Sequence, residues 1–393
     1  MKVGLVSPYD YTHPGGVSEH VRHLGDWLRQ LGHEVRTFAP SGRRDAETDI
    51  PDFYRIGRPF PLPANDSVAR ISLSFHLARR VGDILEREQF DVLHFHEPLM
   101  PALPLTLLRM SGAPHVATFH AFAKSNLGYY YGRPILKPYL RHLNETIAVS
   151  PPARDFVRHY FPQLHPHVIP NGVDVEHFKP GLAPIRHLRD DRVNVLFVGR
   201  LEKRKGLRDL LAGFRYLSER VPKTRLIIVG DGPLRHRVES YISSHELTNV
   251  VMVGYVPEQV LPRYHATADI FCVPASGRES FGIVLLEAMA AGLPVVATEI
   301  PGYLSVVESG VDSLTVRPKS PLELGVALTV LARDPELRRR LGAAGLAKAQ
   351  TYSWRVITGR VIAVYQQARL GPAAAPVYKE VEAGVHHPVS SVG

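Results

Sequence analysis

The chain has 393 residues, of which 45% are hydrophobic and 22% charged, so it is typical of a globular protein and long enough for two domains of roughly 150–200 residues. Its formal net charge of +9 is spread along the chain without a basic tail, which argues against nucleic acid as a partner. The single cysteine, Cys272, excludes an intrachain disulfide, and neither a signal-peptide pattern nor an apolar run of membrane-spanning length is present, so we expect a cytoplasmic protein that at most rests peripherally on the inner face of the cell membrane.

Short β-branched runs alternate with helix-period segments along the chain. Strands are predicted first at 2–7, 34–39, 91–95, 115–119, 146–149 and 167–170, with helices at 17–31 and 134–143. After a stretch rich in Pro and charge at 179–191, the alternation restarts. Strands are then predicted at 193–198, 225–229, 250–253, 270–273 and 294–297, and helices at 206–216, 234–243, 259–265 and 281–290. Helical patterns at 321–332, 335–349 and 354–370 follow.

Continuous apolar strands that alternate with helices are typical of parallel sheets covered on both faces. Two such series predict an α/β fold of two doubly wound, Rossmann-like domains that face a cleft, where ligands bind beyond the carboxyl ends of the strands. We place the N-terminal domain at 1–170 and the C-terminal domain at 171–353. A helix at 354–370 is expected to cross back to the N-terminal domain, and 371–393 to be a disordered tail.

Glycine-rich turns between a strand and a helix mark candidate phosphate sites. Gly15-Gly16 follows the first predicted strand, and paired glycines let a ligand approach the backbone near a helix N-terminus, although a purely structural turn fits equally well. The turn 199–206 (GRLEKRKG) brings Arg200 and Lys205 to a helix start, where two cations suit a diphosphate. The alternative for this turn is an ordinary solvated basic loop. Gly230-Asp231-Gly232-Pro233 shapes the same sheet edge.

Two carboxylates lie in an apolar stretch, at Glu279 and Glu287, with seven residues between them. We expect Glu279 in a loop that projects into the cleft just before a helix. The backbone N–H groups of Phe281, Gly282 and Ile283 would then meet a phosphate, since the first turn of a helix leaves its donors free. Glu287 would lie about two turns along the helix and reach a ribose hydroxyl pair. The alternative is that Glu287 merely faces solvent.

Histidines near the ends of predicted strands are candidate cleft residues. His120 ends a strand and could hydrogen-bond a sugar hydroxyl, although a structural role is common for a lone histidine. His94 and His96 share one strand face and could bind zinc together with Glu97 or His120. No cysteine or second spaced cluster completes that set, and no Asp-x-Asp occurs, so we expect neither a metal site nor a metal-held nucleotide diphosphate.

These motifs together resemble a known family. Glu279-x7-Glu287, Gly199-Arg200 with Lys205-Gly206, the stretch 170–174 (PNGVD) and Gly15-Gly16 are similar to the large retaining glycosyltransferase family with the two-domain GT-B fold. More narrowly, several stretches look like those of the phosphatidylinositol mannosyltransferases of actinobacteria. They are Pro8-Tyr9 with 14–17, 67–70 (SVAR), 94–98 (HFHEP), 117–120 (ATFH) and 279–292.

The resemblance implies an acceptor-binding N-terminal domain and a C-terminal domain that binds a nucleotide-sugar donor. On the donor side it implies that Gly16 approaches the phosphates, Arg200 and Lys205 neutralise them, and Val256 reads the base through its backbone. It further implies that Glu279 binds hydroxyls of the transferred sugar, Glu287 the ribose, and that His120 lies near the reacting carbon. Tyr9 and Lys124 would bind the acceptor, an inositol head group and its phosphate. The reaction would proceed with retention and without a metal or other cofactor.

The expected function is therefore transfer of a hexose, mannose from GDP-mannose, to an inositol-phosphate lipid. Alternatives are UDP-glucose as the donor with a diacylglycerol or a soluble sugar as the acceptor. From other classes, a Rossmann oxidoreductase would need Gly-x-Gly-x-x-Gly, which Gly15-Gly16-Val17 does not supply, and an inactive sugar-nucleotide binding module is the remaining possibility.

The sequence departs from those mannosyltransferases at two places that concern the acceptor and the membrane. The segment 121–124 is one residue shorter, which affects the position of Lys124. Their basic membrane helix corresponds here to 70–89, where Arg79, Arg80 and Arg87 are offset by acidic residues. A patch of aromatic and basic residues at 129–141 could rest at a membrane interface or form a wall of the acceptor pocket.

Overall fold

The computed structural model describes residues 1–13, 15–43, 45–50, 52–64, 67–72, 77–122 and 127–371. Within these ranges the chain forms two lobes, each built on a twisted parallel sheet, and a separate two-stranded hairpin. The predicted architecture of two doubly wound domains is confirmed.

The first lobe contains a seven-stranded parallel sheet in the order β3-β2-β1-β6-β7-β8-β9. Its strands are β1 (Lys2–Val6), β2 (Glu34–Ala39), β3 (Phe53–Arg55), β6 (Val92–His96), β7 (His115–Phe119), β8 (Glu145–Ala148) and β9 (His167–Val168), and the hairpin consists of β4 (Pro59–Ala64) and β5 (Ser67–Ser72). The helices are α1 (Gly16–Gln30), α2 (Ala46–Asp49), α3 (Ala78–Glu88), α4 (Leu103–Met110), α5 (Leu127–Leu140) and α6 (Pro151–Tyr160).

The second lobe contains a six-stranded parallel sheet in the order β12-β11-β10-β13-β14-β15. Its strands are β10 (Val193–Val198), β11 (Thr224–Val229), β12 (Val250–Gly254), β13 (Ile270–Val273), β14 (Val295–Thr298) and β15 (Ser313–Val316). The helices are α7 (Leu207–Arg220), α8 (Arg235–Ser244), α9 (Leu261–Thr267), α10 (Ile283–Ala290), α11 (Pro301–Leu304), α12 (Pro321–Arg333), α13 (Pro335–Thr351) and α14 (Trp354–Leu370).

Strand β10 illustrates why a continuous apolar run becomes a central strand. Its successive side chains point to opposite faces of the sheet. Leu196 belongs to the buried cluster that includes Leu285 and Leu286 of α10. Val195 and Phe197 belong to the cluster on the other face, beneath α7 and α12. Both faces are covered by helices, so the strand needs no polar residue facing water.

Helix α14 leaves the second lobe and packs on the first. Ile357 and Val361 share a buried cluster with Val3 and Val21. Trp354 begins the helix, and its ring fills the space beside Gly172, where a Cβ atom would lie 2.4 Å from the ring. The two lobes are thus joined both by the chain at 169–173 and by this returning helix.

Several element boundaries differ from the sequence predictions. The expectation of one helix over 70–89 is wrong, because Ser67–Ser72 is strand β5 and the helix α3 covers only Ala78–Glu88. Helix α10 begins at Ile283 instead of Phe281. Helices α4 and α6 and strands β3 and β15 were not expected. Most of the predicted disordered tail, 372–393, lies outside the described residues. Among the helices described, none combines the length and apolarity needed to cross a membrane.

Candidate functional site

The basic turn after β10 is held in place by a glycine. Gly206 caps α7 in the left-handed region at φ 71°, and a Cβ atom there would lie 1.8 Å from the Pro274 carbonyl oxygen. Only glycine fits this close approach. The turn therefore packs directly against the segment after β13, which brings Lys205 next to the loop that carries Glu279.

Five charged side chains meet in this region. The Lys205 ammonium lies 2.6 Å from Glu279 Oε1, and the Arg204 guanidinium contacts the same oxygen. Arg204 Nε also lies 3.1 Å from Glu202, which in turn is 3.0 Å from Arg200. Glu202 is buried, and Glu279, Arg204 and Lys205 are mostly buried. The cations are thus fixed in position before any anion binds, which favours charge stabilisation without reorganisation.

Sequence reasoning predicted Arg200, Lys205 and Glu279 for this region but missed Arg204 and Glu202. Glu279 and Lys205 are in direct contact, whereas Arg200 is linked to them through Glu202 and Arg204. The charge run 202–205 contained the signal for Arg204, but its three consecutive cations could not be ranked without the turn geometry.

The N-terminus of α10 opens beside these charges. Gly282 is the N-cap at φ 103°, and a Cβ there would lie 2.7 Å from the Tyr303 ring. Phe281 is buried before it and Ile283 begins the helix. The first-turn N–H groups of a helix have no intrahelical acceptor and carry partial positive charge. Together with Lys205, they form a setting suited to a phosphate.

Glu287 lies on the next turn of α10 and is partly buried, with its Oε2 atom shielded from solvent. Among the described residues no group donates a hydrogen bond to its Oε2 atom. Burial raises the pKa of Glu287 to about 7. The alternative that Glu287 faces solvent is wrong, and its unpartnered oxygen is available to a ligand hydroxyl.

Glu287 lines a cavity of about 390 Å³ between the lobes. In the second lobe the cavity is lined by Ile283 and by residues of the segment 255–261, which includes Val256. In the first lobe it is lined by residues of α1. Those α1 residues are Glu19, His20, Arg22 and His23. A nucleoside fits a cavity of this size that combines apolar walls with a few polar groups.

An ion-pair cluster closes this cavity between the lobes. Glu258, after β12, lies 3.2 Å from the Arg22 guanidinium and 3.3 Å from His23 Nε2, both on α1. The hydrogen bond from His23 and the nearby positive charges lower the pKa of Glu258 to about 2. Burial opposes protonation of His23, but its hydrogen bond with Glu258 and the charge of that carboxylate raise its pKa. These residues were not anticipated from the sequence.

His120 directly follows β7 in the first lobe and is buried. Its backbone N–H and that of Ala121 both donate to Glu97 Oε1 at 2.7 Å. Its Nε2 atom lies 3.0 Å from His96 Nδ1, and its ring lies 4.8 Å from that of His20. Burial holds the pKa of His120 well below its usual range, so the imidazole is neutral at pH 7.

Glu97, which the sequence suggested only as a possible zinc ligand, also belongs to this group. It is buried at 3% exposure and adopts φ 54°, a conformation that is uncommon for a residue other than glycine. Burial raises its pKa to about 7, although the backbone donors of His120 and Ala121 and the hydroxyl of Tyr129 oppose the shift. Backbone strain of this kind persists where the surroundings hold a residue firmly.

The remaining predicted residues lie around the same cleft or outside the described chain. Tyr9 is partly buried after β1, and burial and the charge of Glu97 raise the pKa of its hydroxyl. Gly16 begins α1, and a Cβ atom there would meet nothing within 4 Å, so this helix start borders open space. Lys124 lies outside the described residues.

In the part of the chain that the structure describes, two groups of side chains have a spacing that could hold a metal ion. The ring nitrogens of His20, His96 and His120 lie within 4.8 Å of one another, as do the ligand atoms of Glu19, His23 and Glu258. The zinc set considered from the sequence is not formed. His94 uses both ring nitrogens, for Tyr365 and Thr118 at 2.7 Å, and Glu97 holds backbone amides instead.

The chain belongs to the group 1 glycosyltransferases. Two family models divide it between them, Glycosyltransferase Family 4 over residues 14–177 and Glycosyl transferases group 1 over residues 183–348. The phosphatidyl-myo-inositol mannosyltransferase of Mycobacterium leprae is 35% identical to it, covering 93% of this chain and 96% of the relative. That of Mycolicibacterium smegmatis is also 35% identical, covering 93% and 94%. A D-inositol 3-phosphate glycosyltransferase of Kribbella flavida is 29% identical, covering 90% and 91%.

Solved structures with the same fold are more distant in sequence. Anabaena HepE in complex with UDP has a TM-score of 0.75 and 19% identity, covering 93% of this chain and 100% of that one. Sucrose-phosphate synthase from Thermosynechococcus elongatus has a TM-score of 0.71 and 22% identity, covering 93% and 98%. The predicted GT-B fold and family are thus confirmed.

Proposed function

We propose that this protein transfers a mannosyl group from GDP-mannose to the inositol of phosphatidylinositol, with retention of configuration and without a metal ion. The observation that carries the proposal is the 35% identity with phosphatidyl-myo-inositol mannosyltransferases over 93% of the chain. Since this similarity runs through both lobes, it includes the donor side and the acceptor side.

The donor diphosphate is proposed to lie at the N-terminus of α10. In the reaction, the bond from the anomeric carbon to the diphosphate oxygen breaks and a bond to the acceptor oxygen forms, while the proton of the acceptor hydroxyl passes to the departing diphosphate or to water. Negative charge builds up on the diphosphate. We propose that Lys205, Arg200 and the free N–H groups near Ile283 stabilise that charge in the role that a divalent cation has elsewhere.

The sugar and the nucleoside are proposed to bind on either side of this diphosphate. Glu279 accepts hydrogen bonds from hydroxyls of the transferred sugar, and the neutral imidazole of His120 faces the sugar from the first lobe. The ribose donates to Glu287, whose Oε2 atom is unpartnered within the described structure. The base lies against the backbone of Val256 in the cavity between the lobes. The acceptor is proposed to approach from the side of Tyr9 and Lys124.

Incubation of the purified protein with GDP-mannose and phosphatidylinositol vesicles, followed by mass spectrometry of the lipids, tests the proposal. The expected product is phosphatidylinositol with one added hexose, formed at an equal rate with and without EDTA. Parallel reactions with UDP-glucose and with diacylglycerol separate the alternatives. A product that forms only from UDP-glucose, or only on diacylglycerol, would replace the proposed substrates while leaving the reaction class in place.

A soluble inositol phosphate is the second candidate acceptor. It is favoured by the similarity to the Kribbella flavida relative named D-inositol 3-phosphate glycosyltransferase, although that identity is lower, at 29%. The two acceptors share the inositol phosphate group and differ in the attached lipid. Competition between inositol 3-phosphate and phosphatidylinositol for one limiting pool of donor distinguishes them.

A further inference from the structure

Three histidines from separate elements of the first lobe meet in one buried group. His20 lies on α1, His96 ends β6 and His120 directly follows β7. Each of them is at most 8% exposed. One ring nitrogen of each lies within 4.8 Å of those of the other two. We call this group the three-histidine cluster.

The rings of the three-histidine cluster have the spacing of imidazoles around one metal ion. Their centroids are separated by 5.2 Å for His20 and His96, 4.8 Å for His20 and His120, and 5.3 Å for His96 and His120. Three imidazoles on a tetrahedral zinc ion, with zinc–nitrogen bonds of about 2.0–2.1 Å, place their centroids about 5 Å apart. His96 Nδ1 and His120 Nε2 are 3.0 Å apart, and two nitrogens on such an ion are about 3.3 Å apart. The cluster therefore needs little movement to close on zinc.

The three imidazoles have lone pairs to offer a metal ion. Burial lowers the pKa of all three rings, so each is neutral at pH 7. Among the described residues, no group hydrogen-bonds His20 Nδ1 or His96 Nε2. The proton between His96 and His120 can move to the other nitrogen of its own ring, and both facing nitrogens are then free to bind. Buried polar atoms without a partner are uncommon, and a bound ion is one explanation for them.

Neighbouring groups fix the orientation of two of these rings. The Glu97 carboxylate accepts from the backbone N–H of His120 at 2.7 Å. The His20 ring packs edge-on against Trp354, with 5.1 Å between the ring centroids. Metal-binding histidines depend on such outer contacts, which orient the ring before the ion arrives.

The second group with ligand spacing, Glu19, His23 and Glu258, is less suited to a metal ion. The Arg22 guanidinium lies 3.2 Å from Glu258 and contacts Glu19, so a cation already lies beside both carboxylates. The three side chains are 26–38% exposed, so water also competes for an ion there. The three-histidine cluster, by contrast, is neutral and buried.

We propose that His20, His96 and His120 bind one zinc ion, and that zinc bound there inhibits transfer. Imidazole is a favoured ligand of zinc, and a site with three histidines leaves one coordination position open. Among the described residues no fourth ligand side chain joins the three, so water completes the tetrahedron. The ion would join α1 to β6 and β7. The inhibition, unlike the binding, rests on the proposed function, in which His120 faces the sugar.

X-ray absorption and calorimetry on the full-length protein test the site without any substitution. Protein dialysed against EDTA is titrated with zinc chloride in the absence of nucleotide sugar and lipid. We expect one zinc ion per chain, with three imidazole nitrogens at about 2.0–2.1 Å in the X-ray absorption spectrum. Zinc bound mainly by carboxylates would place the ion at Glu19, His23 and Glu258 and would overturn the proposal. Failure to bind zinc stoichiometrically would also overturn it.

Substitution of one ligand at a time locates the ion. His20→Asn and His96→Asn should each weaken zinc binding by about tenfold or more. Thermal melting in EDTA establishes that both variants are folded. Zinc affinity that is unchanged in both folded variants overturns the proposal.

Matched histidine variants serve as controls. His23→Asn alters the same helix outside the cluster, His236→Asn removes an exposed histidine, and His386→Asn/His387→Asn removes the adjacent pair near the C-terminus. All three should bind zinc like the unaltered protein. A loss in any of them that equals the loss in His20→Asn would place the ion elsewhere and overturn the proposal.

The transfer assay tests the inhibition. Saturating zinc should remove most of the transfer activity of the unaltered protein, and EDTA should restore it. In His20→Asn the ratio of the rates with and without the same zinc concentration should be close to one. Undiminished transfer by the zinc-loaded protein overturns the inhibition. Zinc bound by three imidazoles in a protein that transfers no mannose, with or without EDTA, would overturn the proposed function alone.

Discussion

The Lys205 ammonium lies 2.6 Å from Glu279 Oε1, and this contact joins the turn after β10 to the loop before α10. Arg204 contacts the same oxygen. None of the cations in the described ranges forms an ion pair with Glu279 Oε2. Under the proposed function, this contact holds Lys205 beside the diphosphate and leaves Glu279 Oε2 to accept from a hydroxyl of the transferred sugar.

Lys205→Ala is expected to lower kcat by about 10²–10³-fold, because the charge that develops on the diphosphate loses a fixed cation. Glu279→Ala should be equally damaging, since it removes the sugar contact and releases both cations. Initial rates at saturating donor measure the effect, and circular dichroism checks the fold. Lys203→Ala, an exposed neighbour in the same turn, is the matched control and should keep its activity. Unchanged turnover in Lys205→Ala would remove the donor-site assignment.

Glu287→Gln is expected to stabilise the free protein at pH 8 but not at pH 4.5. The pKa of Glu287 is raised to about 7 in the folded state, so the folded protein keeps a proton that the unfolded chain releases above about 4.5. The unaltered protein therefore loses stability as the pH rises from 4.5 to 7, and glutamine avoids that loss. Urea denaturation should show a gain of about 1–3 kcal/mol at pH 8. A gain of the same size at both pH values would contradict ionisation as its cause.

The same substitution should weaken recognition of the ribose. A buried carboxylate that accepts from two hydroxyls loses roughly 1–2 kcal/mol of binding when it becomes an amide with a single acceptor oxygen, about a tenfold change in affinity. Calorimetry with GDP and 2′-deoxy-GDP measures this. The unaltered protein should prefer GDP, and Glu287→Gln should bind both alike. Persistent discrimination in the variant would place the ribose elsewhere.

The fold could be predicted from the sequence because its signals are local. The run Val195–Val198 contains no polar residue that could face water, so it specifies a strand buried on both faces. Gly206 and Gly282 fall at the ends of turns, where positive φ is needed. The predicted helix over 70–89 was wrong because the first residues of that segment pair with strand β4. The local propensity of the segment does not reveal the hairpin that β4 and β5 form.

Residues of the candidate site could be predicted from the sequence only where they belong to a recognisable local motif. Glu279, Glu287 and Lys205 belong to such motifs. The contact between Arg22 and Glu258 joins residues 236 positions apart, and nothing local to either one indicates the other. His20 meets His120 only because α1 and β7 face the same cleft. Glu97 is recognisable as a positioning residue only once its hydrogen bonds to the backbone are seen.

Glu97→Ala is expected to lower kcat by about tenfold to a hundredfold with little change in the KM for the donor. Its carboxylate holds the backbone of His120 and Ala121, so its loss frees the turn that carries His120 without removing a donor contact. Since burial raises its pKa to about 7, the charged form is gained as the pH rises through that value. The rate of transfer should therefore increase as the pH rises through 7, and Glu97→Gln should reduce this dependence of the rate on pH. An unaltered pH profile in Glu97→Gln would show that another group titrates.

Removal of metal ions is expected to leave transfer unchanged. His20, His96 and His120 have the spacing of a metal site, but the proposed chemistry relies on Lys205 and the α10 N-terminus for charge stabilisation. Assays after EDTA dialysis, with and without added zinc, measure this. Zinc that binds the three imidazoles should inhibit, because it would occupy the side of the cleft that faces the sugar. Activity that EDTA abolishes and zinc restores would contradict the assignment.

Glu258→Gln is expected to loosen the contact between the lobes. Glu258 pairs with Arg22 and His23 across the cleft, and these side chains are 26–40% exposed, so the cluster contributes about 1 kcal/mol or less. The pKa of Glu258 is lowered to about 2, so its contribution is present above about pH 4.5 and is lost as the pH falls towards 2. The pKa of His23 is raised, so the stabilisation that His23 contributes is present below about pH 6.5 and is lost as the pH rises through the raised pKa.

The closed arrangement should therefore be most populated between about pH 4.5 and 6.5 in the absence of donor. Small-angle scattering is expected to show a radius of gyration that increases from pH 6 to pH 9, and less so in Glu258→Gln. Glu308→Gln, an exposed carboxylate away from the cleft, should behave like the unaltered protein. High salt should loosen the contact between the lobes, as Glu258→Gln does, because salt screens ion pairs that are partly exposed. A radius that is independent of pH in the unaltered protein would show that other contacts set the distance between the lobes.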